Sequence, residues 1–136
     1  MKMKVYIAAP WVNREDAAKV EARLIEEGFE PTARWIKNHG DESGYNLKEE
    51  AQHDVEDLYK SDAILVLNLA KSEGKATEQG MAFIMGMPII VVKSNPNPVN
   101  IFHNLTSQFK SVDNLEEALV ELHQLKLKSQ RRKVGF

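Results

Sequence analysis

Ala63-Ile64-Leu65-Val66-Leu67-Asn68-Leu69 is an almost unbroken apolar run of strand length. Continuous apolarity over that span implies burial on both faces, as in a parallel sheet covered by helices. Asp62, a residue type that bonds its own backbone in turns, precedes the run, and polar residues resume at Lys71 to Lys75. Downstream, a helix is expected from about Thr77 to Met85, with Gly86 after it, and Pro88-Ile89-Ile90-Val91-Val92 reads as another strand. Asn95-Pro96-Asn97-Pro98 is a rigid loop, a short apolar segment spans about Ile101 to Leu105, and Leu115, Leu119, Leu122 and Leu125 carry a last helix behind an Asp113–Glu116 capping box. Upstream, Leu47, Ala51, Val55, Leu58 and Tyr59 trace an amphipathic helix, and Lys37 to Tyr45 is a loop. Phe29 to Ile36 reads as a second strand. Ala17, Val20, Leu24 and Ile25 define a helix from about Asp16 to Glu27, ended by Gly28, and Lys4 to Ala9 is an opening strand stopped by Pro10.

Strands alternating with helices in this way predict an α/β fold: one doubly wound, flavodoxin- or Rossmann-like domain over residues 1–136, with a mainly parallel sheet, helices on both faces and a basic tail at 126–136. Ligands of such sheets bind outside the carboxyl ends of the strands. That directs attention to the loops Ala9 to Asp16, Ala70 to Thr77 and Lys93 to Asn100.

At 136 residues, 43% of them hydrophobic, the chain can bury one real core. A formal charge of −2 gives no reason to expect a nucleic-acid partner, and the absence of cysteine excludes disulfides and thiolate chemistry. The apolar residues after Met1-Lys2-Met3-Lys4 are too few for a signal peptide or a membrane span, so a cytoplasmic protein is expected. His39, His53, His103 and His123 lack metal-ligand spacing. The basic residues Lys126, Lys128, Arg131, Arg132 and Lys133 read as a solvated end of the chain.

Two carboxylates stand out. Glu78 shares a helix face with Met81, Ala82 and Met85 and therefore points inward, where the first-turn N–H groups would hold it ionised although partly desolvated, the condition of a buried nucleophile. Periodicity leaves open an ordinary first-turn glutamate. Asp54 falls on the stripe of Leu47, Ala51, Val55 and Leu58, with Glu56 and Asp57 directed elsewhere, and marks either a structural network or an active site. The loop Lys71-Ser72-Glu73-Gly74-Lys75-Ala76-Thr77 offers a glycine, two hydroxyls and lysine, the ingredients of an anion cradle, without a P-loop or dinucleotide fingerprint.

Val5-Tyr6-Ile7-Ala8-Ala9-Pro10-Trp11, Thr32-Ala33-Arg34-Trp35-Ile36, Asp54 with Asp62, Glu78-Gln79-Gly80-Met81-Ala82 and Asn100-Ile101-Phe102-His103-Asn104-Leu105 together resemble the nucleoside 2-deoxyribosyltransferase family, whose superfamily includes the 2′-deoxynucleoside 5′-phosphate N-hydrolases. The resemblance covers about residues 4 to 112. It implies that Glu78 attacks the anomeric carbon, that Asp54 passes a proton to the leaving base and helps hold the sugar, and that Tyr6 positions Glu78. It places Ala9, Trp11, Ser72, Gly74, Asn100 and His103 in the substrate-binding set. Asn100 would reach a neighbouring subunit's site, making the protein a homo-oligomer built on dimers. Neither metal nor cofactor is implied, and the partner is a small nucleoside or nucleotide. Ser72, six residues before Glu78, matches the phosphate-binding hydrolases, whereas Pro10 departs from them and Trp11 is closer to the transferases.

The leading expectation is therefore cleavage of the N-glycosidic bond of a (deoxy)nucleoside 5′-monophosphate through a glycosyl-enzyme on Glu78, with water as acceptor. The alternatives are a deoxyribosyltransferase that passes the sugar to a second base, a catalytically silent nucleotide-binding module and, on the basic tail alone, an interaction scaffold.

Overall fold

The computed structural model describes residues 2–37 and 47–134, with side chains as far as residue 130. Most of the expected loop from Lys37 to Tyr45, with His39, lies outside the described residues. Five strands, β1 (Lys4–Ala8), β2 (Glu30–Pro31), β3 (Ala63–Leu67), β4 (Ile89–Val92) and β5 (Phe109–Val112), form one sheet in the order β2-β1-β3-β4-β5. Every pairing is parallel, with Tyr6 opposite Ile64 and Ile64 opposite Ile89. The apolar run from Ala63 forms the central strand β3, and all five of the strand's residues are buried.

Among the described residues four α-helices accompany the sheet: α1 (Arg14–Glu26), α2 (Leu47–Tyr59), α3 (Glu73–Ile84) and α4 (Leu115–Val134). Right-handed crossovers put α1 on one face and α2 and α3 on the other. The helix α4 joins α1, where the Arg23 guanidinium donates to both Glu116 oxygens at 2.6 and 3.0 Å. Among the described residues no helix is long and apolar enough to cross a membrane.

Several expectations are corrected. The second strand is paired only at Glu30–Pro31, because the chain then winds into a 3-10 turn at Arg34–Ile36, held there by side-chain bonds from Arg34 and Trp35. A proline is tolerated because β2 is an edge strand. The α3 helix starts at Glu73, four residues before the expected Thr77, with Ser72 as N-cap accepting from the Lys75 N–H at 3.3 Å. On α2 the expected apolar stripe is largely exposed: Leu47, Ala51, Val55 and Tyr59 face outward, and the buried residues are Asp57 and Leu58. Asp57, expected to point away from the core, is thus the most enclosed acidic group among the described residues. Ile25 on α1 is also exposed. At the start of α4 the cap is Asn114, which accepts from Glu117 N–H at 2.9 Å, one residue later than the Asp113–Glu116 box. Strand β5 went unanticipated, and the apolar segment before it is a 3-10 turn, Ile101–Asn104.

Candidate active site

The order β2-β1-β3-β4-β5 has its switch point between β1 and β3, whose following connections run to opposite faces of the sheet, so a crevice opens at their carboxyl ends. Ala9 and Trp11 follow β1 there, and Ser72 and Gly74 follow β3. Together with Trp35, Asp54, Lys75 and Glu78 they line a cavity of about 130 Å³. The structure thus gathers Glu78, Asp54, Ala9, Trp11, Ser72 and Gly74 in one place.

Glu78 is 9% exposed. Tyr6, fully buried on β1, donates its hydroxyl to Glu78 Oε2. Glu78 lies in the second turn of α3, so first-turn N–H groups do not hold it ionised as the sequence suggested. Burial instead dominates and lifts its pKa to about 8; the Tyr6 hydrogen bond opposes the rise and the charge of Asp54 adds to it. The Tyr6 hydroxyl is itself held far above its ordinary range, by burial first and the Glu78 charge second.

Asp54 is half-buried, and its Oδ1 has no hydrogen-bond partner among the described residues. Its pKa rises to about 6, chiefly through burial and then through Glu50 and Asp57, while His53 and Arg34 pull it down. Two carboxyl groups with raised and separated pKa values in one cavity are the arrangement from which acid and nucleophile roles are drawn.

The two tryptophans form the aromatic part of the wall, their ring centroids 6.2 Å apart at 43°. The Arg14 guanidinium sits 4.4 Å from the Trp11 ring centroid, and Trp35 Nε1 donates to the Ile7 carbonyl at 2.9 Å. Such a surface suits the face of a nucleobase.

Lys75 is 4% exposed, its ammonium donating to Asn68 Oδ1 and the Ala70 carbonyl at 2.7 Å each, and burial lowers its pKa. With Ser72 it separates the Glu78 cavity from a second of about 330 Å³, also bordered by Lys71 and Asn100. Asn100 caps the Ile101–Asn104 turn by accepting from Phe102 N–H, and so stands outside the Glu78 cavity of its own chain. His103 is turned inward onto Gln79, Nε2 to Oε1 at 2.7 Å, and does not line that cavity either. Trp35 and Lys75 line the cavity beyond the residues expected there, Lys75 reading in the sequence only as part of an anion cradle. Lys75 was legible as a residue one turn before Glu78 on the same face. A larger groove of about 490 Å³ lies between α2 and α3, but Val55, Leu58, Tyr59, Met81, Ile84 and Met85 make its walls apolar and without carboxylates.

No family model and no curated protein matches the sequence. Solved structures share the fold, three of them as follows. A conserved protein from Enterococcus faecalis superposes with TM-score 0.71 at 19% identity, covering 91% of this chain and 99% of its own. A 2-deoxyribosyltransferase from Bacillus psychrosaccharolyticus gives TM-score 0.62 at 20% identity, covering 85% and 90%. A CMP N-glycosidase from Clostridium botulinum gives 0.61 at 16%, covering 89% and 98%. The chain therefore has the α/β fold of the nucleoside 2-deoxyribosyltransferase-like proteins, the fold its sequence motifs led us to expect.

Proposed function

We propose that this protein cleaves the N-glycosidic bond of a (deoxy)nucleoside 5′-monophosphate with retention, using Glu78 as nucleophile and water as acceptor. The observation that carries the reading is the buried Glu78 carboxyl, hydrogen-bonded by Tyr6 and sharing a cavity with Asp54. The ionised Glu78 attacks the anomeric carbon as the bond to the base nitrogen breaks, and the base takes its electron pair and a proton from Asp54. Water then attacks the glycosyl ester, giving its proton to Asp54 and releasing Glu78. These steps use no metal or cofactor. Similarity of fold to a 2-deoxyribosyltransferase and a CMP N-glycosidase supports the reaction class.

Ser72 supports the monophosphate, because its hydroxyl lies between the Glu78 cavity and the cavity bordered by Lys71 and Lys75. Trp11 in the cavity wall favours the second reading, in which a free base replaces water and the protein is a deoxyribosyltransferase. A homo-oligomer built on dimers, in the cytoplasm, is part of the same proposal. The apolar groove with exposed Val55, Tyr59 and Ile84 supports the dimer, since two copies can cover such a surface.

The test is incubation with a panel of deoxynucleosides and their 5′-monophosphates, with and without an added base. Base release from monophosphates alone supports the hydrolase, exchange on unphosphorylated nucleosides the transferase. Binding without turnover of any member leaves a silent nucleotide-binding module.

A further inference from the structure

The helix that carries Asp54 has little apolar anchorage. Of the thirteen residues of α2, only Asp57 and Leu58 are buried. Asp57, with no exposed surface, accepts from the Arg34 backbone N–H at 2.9 Å and from Arg34 Nε at 2.9 and 3.1 Å, one bond to each carboxylate oxygen being at 2.9 Å. Lys60 Nζ lies 3.6 Å from Asp57 Oδ1, and the other arm of Arg34 reaches Glu56 at 3.0 Å. Arg34 opens the turn that presents Trp35 to the Glu78 cavity, and Asp54 stands one helical turn before Asp57. One carboxylate therefore ties the element bearing Asp54 to the element bearing Trp35.

An apolar contact can hold a helix down as well, since an ion pair whose Arg34 side chain is 44% exposed adds little to stability. What this pair adds is direction, because the backbone N–H and the Nε–H of one residue reach both oxygens of one carboxylate, while the other arm of the guanidinium is held by Glu56. A helix seated on one leucine alone can slide or roll, and displacements of about 1 Å at a reacting group cost on the order of 100-fold in rate.

We propose that Asp57 and Arg34 are a positioning pair that sets Asp54 and the Trp35 wall relative to Glu78. The proposal rests on the reading of Asp54 as the proton donor. Asp54 is faced by Glu50, His53 and Asp57 from its own helix, by Arg34 from the turn and by Tyr6 and Glu78 from β1 and α3, so changes in its surroundings register in its titration.

The test uses R34K, which keeps the charge and the backbone N–H bond but loses the Nε–H bonds to Asp57, and D57N, which keeps one acceptor and loses the charge. Turnover is measured beside two readouts independent of activity: the Asp54 carboxyl titration by NMR and the emission of the two tryptophans, both in the cavity wall. The expected result is a kcat lowered about tenfold or more in both variants, with a smaller change in KM. In R34K the Asp54 titration moves and the tryptophan emission shifts to the red. The proposal is overturned if folded R34K keeps kcat within about threefold of wild type with titration and emission unmoved. R34K decides the matter alone if D57N fails to fold. If the wild-type protein has no N-glycosidic activity, the functional reading fails, while titration and emission still decide whether the pair positions these groups.

Discussion

The Tyr6 hydroxyl donates a hydrogen bond to Glu78 Oε2, joining the middle of β1 to the second turn of α3. The bond favours the ionised carboxylate, whereas burial favours the neutral acid and outweighs it, so Glu78 titrates near 8. Asp54, less enclosed, titrates near 6.

A bell-shaped dependence of kcat/KM on pH follows, with limbs near 6 and 8 and a maximum near 7. The competent form has Glu78 ionised and Asp54 protonated, the reverse of the form that dominates between the two limbs. Tyr6→Phe removes a bond that lowers the Glu78 pKa, so the upper limb moves to higher pH and the maximum rate falls. Steady-state rates from pH 5 to 10 check both outcomes.

The raised Glu78 pKa also affects stability. From its ordinary value of 4.5 up to about 8 the folded state holds a proton that the unfolded state releases, so folding weakens as pH rises through that interval. Glu78→Gln removes this dependence. Thermal unfolding at pH 9 is expected to show the variant above wild type by about 5 °C or more, with the difference shrinking toward pH 5.

Much of this arrangement was legible in the sequence, for identifiable reasons. Strands β1, β3 and β4 are runs apolar on both faces, and their alternation with helices leaves few topologies. Strand β5 escaped because Phe109-Lys110-Ser111-Val112 has only its two ends buried. On α2 periodicity chose the wrong face. Val55, Leu58 and Tyr59 line an open groove, and the buried anchor beside Leu58 is Asp57, whose partner Arg34 lies 23 residues away in sequence, beyond the reach of any local pattern. Glu78 was rightly directed inward, but the polar composition of Ser72-Glu73-Gly74-Lys75 hid the first turn of α3 and with it the true origin of the Glu78 pKa.

Ser72→Asp tests the phosphate reading without disturbing the helix, since aspartate caps an α-helix as well as serine does. A carboxylate beside the 5′-phosphate repels it. The ratio of kcat/KM for monophosphate over nucleoside is expected to fall by about tenfold or more, measured by chromatography of released base.

A charge in the α2–α3 groove, as in Ile84→Asp, leaves the core intact because Ile84 is exposed in the single chain. The expected outcome is a shift from dimer to monomer in light scattering, with the secondary structure content unchanged.

Glu78→Gln keeps the size and hydrogen-bonding capacity of the side chain and removes its power to form a glycosyl ester. Base release from the deoxynucleoside 5′-monophosphates, followed by chromatography for wild type and this variant at pH 7, tests the central claim. Release by wild type and a loss of about 1,000-fold or more in Glu78→Gln is the predicted result; turnover by the variant at the wild-type rate would contradict it.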